Sequence, residues 1–301
     1  MSRKEKEKDM RNLVTQAVIL AGLILPGWQS PVFADNDARD YIPLEPGTTL
    51  IATYFNHISA TDFYVDGDNT SDDVNLSANI GILRPVYYTK IGPFVMDPQA
   101  LIPFGNQSLD GDGVGGVEVS SSGLADPIVT ATVWFINDPA AKTWLGFTPF
   151  ITLPLGEYDK DKSLNLGANR WAFKPEVGFV KGFGSYFFEL TGNGEFYTDN
   201  DDYTSQSLTL EQDPVYTLES HLSYNFTDAF YVSGDYFYHN GGETSVAGVA
   251  QDDEKDDHAV QLTLGFLLNP SYQLLLKYKT DIKVENGLKT NTVGLRFAHF
   301  F

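Results

Sequence analysis

The sequence contains no cysteine, which excludes a disulfide framework and any metal site built on thiolates. It also has no apolar run of about 18 residues or more, so no segment is long enough to cross a bilayer as a helix. Basic residues are scarce, with 20 Lys and Arg against 40 Asp and Glu and a net charge of -20. Such a charge repels phosphates and argues against a nucleic acid partner. No nucleotide-binding loop is present, and we predict no cofactor.

The first 34 residues have the pattern of a secretory signal peptide. Bases cluster within residues 2–11, and an apolar run over 13–25 follows them. Val32-Phe33-Ala34 then supplies small residues three and one positions before a cut, so we predict that residues 1–34 are removed. An uncleaved anchor is the alternative, because acidic residues dilute the basic stretch.

Residues 290–301 have a strict two-residue period. One face is apolar or aromatic apart from a histidine, and it consists of Val293, Leu295, Phe297, His299 and Phe301. The residues between them are small or polar, as in a strand with one apolar and one polar face. An exposed apolar edge strand would promote aggregation in a soluble sheet, whereas a closed barrel in lipid has no edge.

Alternation of this kind recurs in twelve segments, each near or above the roughly 9–11 residues that a tilted transmembrane strand needs. They cover 48–59, 72–88, 93–104, 124–137, 143–155, 168–181, 184–198, 208–225, 229–240, 258–268, 271–282 and 289–301. The pattern is unclear in the first three, so their register is left open. Pro149, Pro154 and Pro175 count against the assignment locally, since proline cannot donate to a ladder.

The connections between these segments alternate between long and short. The long ones are acidic in several places and cover 60–71, 105–123, 156–167, 199–207, 241–257 and 283–288. A meander whose two ends face different compartments produces this pattern. We therefore predict an all-β protein in which residues 48–301 form a single antiparallel up-and-down transmembrane β-barrel of about twelve strands, with long acidic outer loops and short periplasmic turns. Residues 35–47 would lie in the periplasm or plug the lumen.

Charged and polar side chains on the faces opposite the apolar ones should point into the lumen. The pore-lining candidates are Lys174, Glu176, Glu189, Glu195, Glu219, His221, Asp235, Lys277, Lys279 and Arg296. Aromatic residues on the same faces would give a small apolar solute a path, and these are Phe150, Phe187, Tyr231 and Phe237. Bracing of the interior by ion pairs is the alternative role for the charged set.

Two resemblances add to this interpretation. The C-terminal strand, with Phe297 and Phe301, resembles the signature by which the barrel-assembly machinery recognises bacterial outer-membrane proteins. Four short motifs resemble the family of outer-membrane proteins associated with the meta pathway of phenol degradation. They are Arg-Asp-Tyr-Ile-Pro-Leu-Glu-Pro-Gly-Thr at 39–48, Gly-Leu-Ala-Asp-Pro at 123–127, Pro-Leu-Gly-Glu-Tyr-Asp at 154–159 and Asn-Leu-Gly-Ala-Asn-Arg-Trp at 165–171. The resemblance implies a barrel that passes hydrophobic or aromatic compounds across the outer membrane.

We therefore expect an outer-membrane channel for passive uptake of small hydrophobic or aromatic compounds, with membrane lipid, the assembly machinery and the solute as partners. Two other classes stay open, together with the oligomeric state. An outer-membrane phospholipase or esterase would need a serine and a histidine together, as at His221 and Ser223. A structural or adhesive barrel would use the acidic loops, which could also bind divalent cations. Residues 109–113 resemble a calcium loop but lack its later ligands, so no metal site is predicted.

Overall fold

The structure is a computed structural model that describes residues 35–301. The predicted signal peptide over 1–34 lies outside the described residues. Among residues 35–301 there is no helix of the length and apolar character required to span a membrane.

Strands make up most of the described chain. In chain order they are β1 (Thr49–Val65), β2 (Asp68–Ser71), β3 (Asn75–Tyr87), β4 (Thr89–Ile91), β5 (Phe94–Asp110), β6 (Val119–Leu124), β7 (Ile128–Asp138), β8 (Thr143–Thr152), β9 (Ala172–Phe183), β10 (Tyr186–Tyr197), β11 (Asn200–Tyr203), β12 (Leu208–Gln212), β13 (Val215–Thr227), β14 (Phe230–Gly241), β15 (Thr244–Val246), β16 (Val249–Ala250), β17 (Lys255–Asn269), β18 (Tyr272–Lys283) and β19 (Gly287–Phe300). One short 3-10 helix covers Asp112–Val114.

Twelve of these strands form a closed antiparallel barrel, as the sequence predicted. The wall runs in the order β1, β3, β5, β7, β8, β9, β10, β13, β14, β17, β18 and β19, and β19 then pairs with β1. The closing ladder extends from Leu50 opposite Phe300 to Tyr64 opposite Gly287. Closure leaves the wall without an edge, which is the condition for a sheet to stand in lipid.

Side chains alternate between the two faces of the wall. On β13, Glu219 and His221 are buried inside, while Leu218 and Leu222 are exposed outside. The register left open for the first strands is settled in the same way. On β1 up to Ala60 and on β3 the even-numbered residues face inward, and most of them are buried, among them Ala52, Leu76 and Ile80. The outward faces form a continuous apolar belt.

The two ends of the barrel differ as predicted. The short turns lie at one end, where β4 adds a short strand beside β5. Four of the six connections at the other end carry additional strands, whereas the predicted long connection over 283–288 is only a three-residue turn, 284–286. There β2 pairs with β1 and β6 with β5, while β11, β12, β15 and β16 form a separate four-stranded sheet. The segment predicted as one strand over 208–225 is therefore divided. Asp213 and Pro214 separate β12 from β13, because proline has no N–H to offer the ladder.

Strand β8 pairs with β9 without interruption from Thr143 to Thr152, and Pro149 lies directly opposite Pro175 in that ladder. On the other side, the ladder with β7 is interrupted between the Val129–Ile151 and Val133–Phe147 pairs. The third proline, Pro154, falls just beyond the end of β8.

Because the outward faces form an apolar belt, a charge introduced at its centre should strongly destabilise the folded protein. Leu262 lies midway along β17 and is 51% exposed on the outer face. Leu262→Arg should lower the free energy of unfolding in lipid vesicles by about 2–4 kcal/mol, because the charge meets hydrocarbon. Urea titration of the reconstituted protein measures this change.

The matched control is Gln206→Arg, which adds the same charge at an exposed position in the loop between β11 and β12. It should leave the unfolding free energy unchanged. Equal stability of the two variants would contradict the membrane-facing assignment of β17.

Candidate functional site: the barrel lumen

Residues 35–47, here called the N-terminal segment, lie inside the barrel. The segment enters at the short-turn end, where the Gly47 N–H donates to the Tyr88 carbonyl over 2.7 Å. Its residues then contact β3, β7, β8, β9, β13, β18 and β19, which lie on different sides of the lumen. The segment therefore crosses the lumen rather than following one wall.

Two aspartates of the segment join three basic residues of the wall. Asp37 accepts hydrogen bonds from Lys277 of β18 over 2.5 Å and from Arg296 of β19 over 3.0 Å. Asp40 accepts from the same Arg296 over 2.9 Å and from Arg84 of β3 over 2.8 Å. Burial would raise the pKa of Asp37, but Lys277 and Arg296 hold it well below its usual range. Charges with such partners are tolerated at this depth because each is neutralised and hydrogen-bonded.

Tyr41 fixes the segment in a niche between two strands. Gly146 of β8 pairs with Gly178 of β9, and the Tyr41 ring lies over both. A Cβ added at Gly178 would lie 2.4 Å from that ring. The Tyr41 hydroxyl donates to Glu176 over 2.9 Å, and its carbonyl accepts from the Trp134 indole over 2.9 Å. The niche exists only because both wall positions lack a side chain.

The first two residues of the segment contact charged side chains of β18 and β13. Asp35 forms an ion pair with Lys279, and the Asn36 N–H donates to Glu219 over 3.0 Å. Burial by itself would raise the pKa of Asp35, yet the Lys279 ammonium lowers it to about 2. A folded-state pKa below the unfolded value means that this pair stabilises the docked segment at neutral pH. That contribution is lost only as the pH falls through about 2.

Arg39 hydrogen-bonds Ser223, the serine that an esterase would need as its nucleophile. Its guanidinium donates to the Ser223 hydroxyl over 3.1 Å and lies 3.8 Å from the centre of the Tyr231 ring. The His221 imidazole instead bonds Asp235 over 3.0 Å through Nδ1. Because Ser223 and His221 have different partners, the nucleophile and base of a hydrolase are not assembled here.

The structure brings most of the predicted pore-lining residues together on one side of the lumen. Those that are buried within the barrel are Lys174, Glu176, Glu189, Glu219, His221, Asp235 and Arg296. Lys277 and Lys279 are partly buried and bind the segment, while Glu195 is partly buried and accepts from Tyr197. Among the four aromatic candidates, Phe187, Tyr231 and Phe237 are buried, and Phe150 packs against buried apolar residues.

Sequence reasoning missed the polar residues of β3 and β5. Arg84 donates to Gln99 over 2.6 Å, and Asp97 accepts the Thr132 N–H over 2.7 Å. These residues were not predicted because the register of the first strands could not be fixed. A signal was present in the segment itself, where acidic residues at 35, 37 and 40 immediately precede the barrel and match inward-facing bases.

The opposite side of the lumen is apolar towards the long loops. We call this surface the apolar wall, and it comprises inward-facing residues of β1, β3 and β5, namely Ile58, Ala60, Leu76, Ala78, Ile80, Ile82, Leu101 and Leu109. Two leucines of the loop between β8 and β9, Leu164 and Leu166, fold inward onto it. The lumen therefore has one charged and one apolar side.

Two cavities lie beside the segment. One cavity of about 80 Å³ lies between Asp35, Asn56 and Lys277, and another of about 200 Å³ lies near Arg39 and Tyr231. Both are below the roughly 300–1,000 Å³ of ordinary ligand pockets. Among residues 35–301, no group of three or more His, Asp or Glu side chains is placed to hold a metal ion.

Comparison with known proteins shows which family this chain belongs to. Residues 61–297 match the family described as the MetA-pathway of phenol degradation. The chain belongs to this family. A crystal structure of an outer-membrane channel from Pseudomonas putida F1 superposes with a TM-score of 0.84 at 32% sequence identity. The match covers 89% of this chain and 100% of that channel. No curated protein matches the sequence.

More distant structures share the fold alone. The β domain of the Bordetella autotransporter BrkA has a TM-score of 0.52 at 9% identity, over 84% of this chain and 99% of that one. The transport unit of the Escherichia coli autotransporter AIDA-I has a TM-score of 0.50 at 8% identity, over 89% and 94%. Its family and its likeness to the Pseudomonas channel make the protein an outer-membrane β-barrel channel in contact with membrane lipid. The family consists of transporter-type barrels rather than enzymes.

The niche of Tyr41 generates a test of how the segment is held. Gly178→Val would overlap the Tyr41 ring and should displace the segment, at a cost of about 1–3 kcal/mol in unfolding free energy. We expect a higher single-channel conductance, measured in planar bilayers.

Gly234→Val on β14 is the matched control, because a Cβ there meets no atom within 4 Å. It should conduct as the unsubstituted protein does. A folded Gly178→Val variant with unchanged conductance would show that Tyr41 does not anchor the segment.

Proposed function

We propose that this channel mediates passive uptake of small hydrophobic or aromatic compounds across the outer membrane. The observation that carries the proposal is the apolar wall, which faces the interior of the barrel towards the long outer loops and is covered there by Leu164 and Leu166. Where Leu164 and Leu166 move aside, binding of a small apolar solute to this wall would be favourable by about 25 cal/mol per Å² of apolar area removed from water. The concentration gradient of the solute would drive transport.

The N-terminal segment would act as the plug of this channel. Its ion pairs and the Tyr41 niche tie it to several strands at once, and two cavities beside it are smaller than a typical ligand pocket. Solute movement through the lumen would therefore require the segment to shift. The predicted pore-lining charges would serve mainly to hold the segment and to brace the wall.

Two further roles accompany the proposal. Phe297 and Phe301 are exposed on the outer face of the barrel end and would bind the barrel-assembly machinery, as their resemblance to the assembly signature implies. Export to the periplasm would remove residues 1–34, which carry the pattern of a signal peptide.

Transport is tested by reconstitution with solutes of matched size. Liposomes that contain the protein should swell faster than protein-free liposomes in small aromatic and aliphatic solutes, with a preference for the aromatic ones. Proteoliposomes that stay impermeable to the whole panel would refute uptake.

A pair of substitutions tests the apolar wall itself. Ile80→Thr places a hydroxyl on the fully buried inner face and should reduce the preference for aromatic solutes. Val293→Thr makes a comparable change on the exposed outer face and should leave the preference unaltered. An equal effect of the two variants would show that the preference for aromatic solutes does not depend on the apolar wall.

Deletion of residues 35–46 tests the plug. Loss of the segment should raise single-channel conductance well above that of the full barrel, because the atoms that fill the lumen are removed. Unchanged conductance of the folded deletion variant would contradict the plug.

A further inference from the structure

One basic residue of the lumen is matched differently from its neighbours. Five of the bases that face the lumen form ion pairs with carboxylates, and these are Arg84, Lys174, Lys277, Lys279 and Arg296. Arg39 differs from them. Among residues 35–301, its side chain hydrogen-bonds the Ser223 hydroxyl, through Nε and Nη2 at 3.1 Å each, rather than a carboxylate. A partly buried cation with a neutral acceptor is a place where an anion binds favourably.

The turn that carries Arg39 directs it away from the neighbouring aspartates. Asp37 and Asp40 contact Arg296 of β19, whereas Arg39 extends to β13 and β14. The φ angle of Arg39 is 77°, in the left-handed region that residues with a side chain rarely adopt. Since ion pairs fix both aspartates, the turn between them holds Arg39 in this conformation. The anchors of the N-terminal segment thus also position this guanidinium.

Two aromatic rings and one backbone contact complete the surroundings of Arg39. Its Cζ atom lies 3.8 Å from the centre of the Tyr231 ring and 4.8 Å from that of Phe187. Glu189 attracts Arg39, but its hydrogen bond is accepted from the Arg39 backbone N–H. Contacts with ring faces orient a planar cation and leave its N–H edge accessible. Ser223 takes Nε and Nη2, so Nη1 is the atom that can donate to a further acceptor.

Arg39 borders the cavity of about 200 Å³ beside the segment. The β13–β14 turn and the residues next to the β17–β18 turn contribute to its lining, which places the cavity at the short-turn end of the barrel. A cavity of about 150 Å³ is sufficient to bind benzene. One aromatic ring therefore fits into this cavity.

The lining of the cavity combines apolar surface with hydrogen-bond donors. Tyr231 and Leu267 supply the apolar part, and Arg39, Asn225 and Gln273 carry N–H groups. The Oε1 atom of Gln273 accepts from Arg296 over 2.7 Å, so the amide nitrogen is the end that can serve a ligand.

The only carboxylate in the lining is that of Asp228. This residue is exposed on the β13–β14 turn, where water and salt screen its charge. A flat apolar ring that carries one carboxylate matches the arrangement as a whole.

We propose that Arg39 and this cavity form a binding site for a small aromatic carboxylate, with its ring against Tyr231 and Leu267 and its carboxylate on Arg39. The chain carries a net charge of -20, so an anion is attracted only where a base lacks its own counterion. This inference rests on the proposed uptake function and names a substrate class within it, the anions that resemble benzoate.

Binding is tested by isothermal titration calorimetry of the full chain in lipid nanodiscs. Benzoate is compared with benzyl alcohol, which has the ring without the charge, and with acetate, which has the charge without the ring. Benzoate should bind more tightly than either. Arg39→Gln should weaken benzoate binding by about tenfold, as expected for the loss of one charge-assisted hydrogen bond. Arg39→Lys, which restores the charge, should recover part of the affinity.

Two matched controls separate the site from general effects. Lys90→Gln removes the same charge at an exposed position of β4, at the same end of the barrel, and should leave benzoate binding unchanged. Leu267→Trp fills the cavity without altering any charge and should weaken benzoate binding. Leu268→Trp makes the same change at the adjacent residue, which is 56% exposed and outside the cavity lining, and should have no effect.

Two binding results would overturn the site. The first is benzoate that binds no more tightly than benzyl alcohol. The second is an equal affinity of Arg39→Gln and Lys90→Gln for benzoate. Either result, together with vesicles that admit aromatic solutes, would leave the uptake function intact. Tight binding of benzoate by a protein whose vesicles exclude every aromatic solute would instead refute uptake, and with it benzoate as a substrate. Resistance of each variant to unfolding before heating on a gel verifies that it is folded.

Discussion

Every backbone polar group of this protein that lies at membrane depth must find a partner within the protein. The pairing of β1 with β19 meets that condition for the wall as a whole, because it removes both sheet edges. Alternation of the strands then follows, since one side of each ladder faces hydrocarbon and the other faces an enclosed space. The same condition explains the exceptions. Where Pro127 and Pro154 interrupt the ladders, the Asp126 carboxylate accepts two backbone N–H groups that a neighbouring strand would otherwise satisfy.

The lumen contains charged side chains of both signs, which pair with one another inside the protein. The wall contributes Arg84, Lys277 and Arg296, and the N-terminal segment contributes Asp37 and Asp40, so that charges of both signs meet in pairs. The segment and the wall are therefore parts of one electrostatic unit. The apolar wall lies outside that unit, towards the long loops, and the lumen has two chemically different sides as a result.

Much of the fold could be predicted from the sequence because membrane strands are defined by local patterns. The two-residue period identified the strands, and loop length separated the two ends. The predictions were weakest where geometry between distant residues decides the outcome. The register of β3, and with it the position of Arg84, depends on pairing with β1 and β5. The Tyr41 niche depends on Gly146 and Gly178 lying opposite each other, and nothing in either local sequence indicates that arrangement. The motifs at 123–127, 154–159 and 165–171 were recognised separately, and only the fold shows that Asp126 hydrogen-bonds Gly156 and Ala168 of the other two.

The closing ladder also bears on how the barrel forms. Leu50 pairs with Phe300, so the contacts that complete the cylinder join nearly opposite ends of the described chain. Contacts between residues so distant in sequence carry a large loop-closure cost and slow folding. The N-terminal segment is attached to β1, one of the two strands that this ladder joins. Closure of the ladder therefore encloses a segment that is continuous with the closing strand.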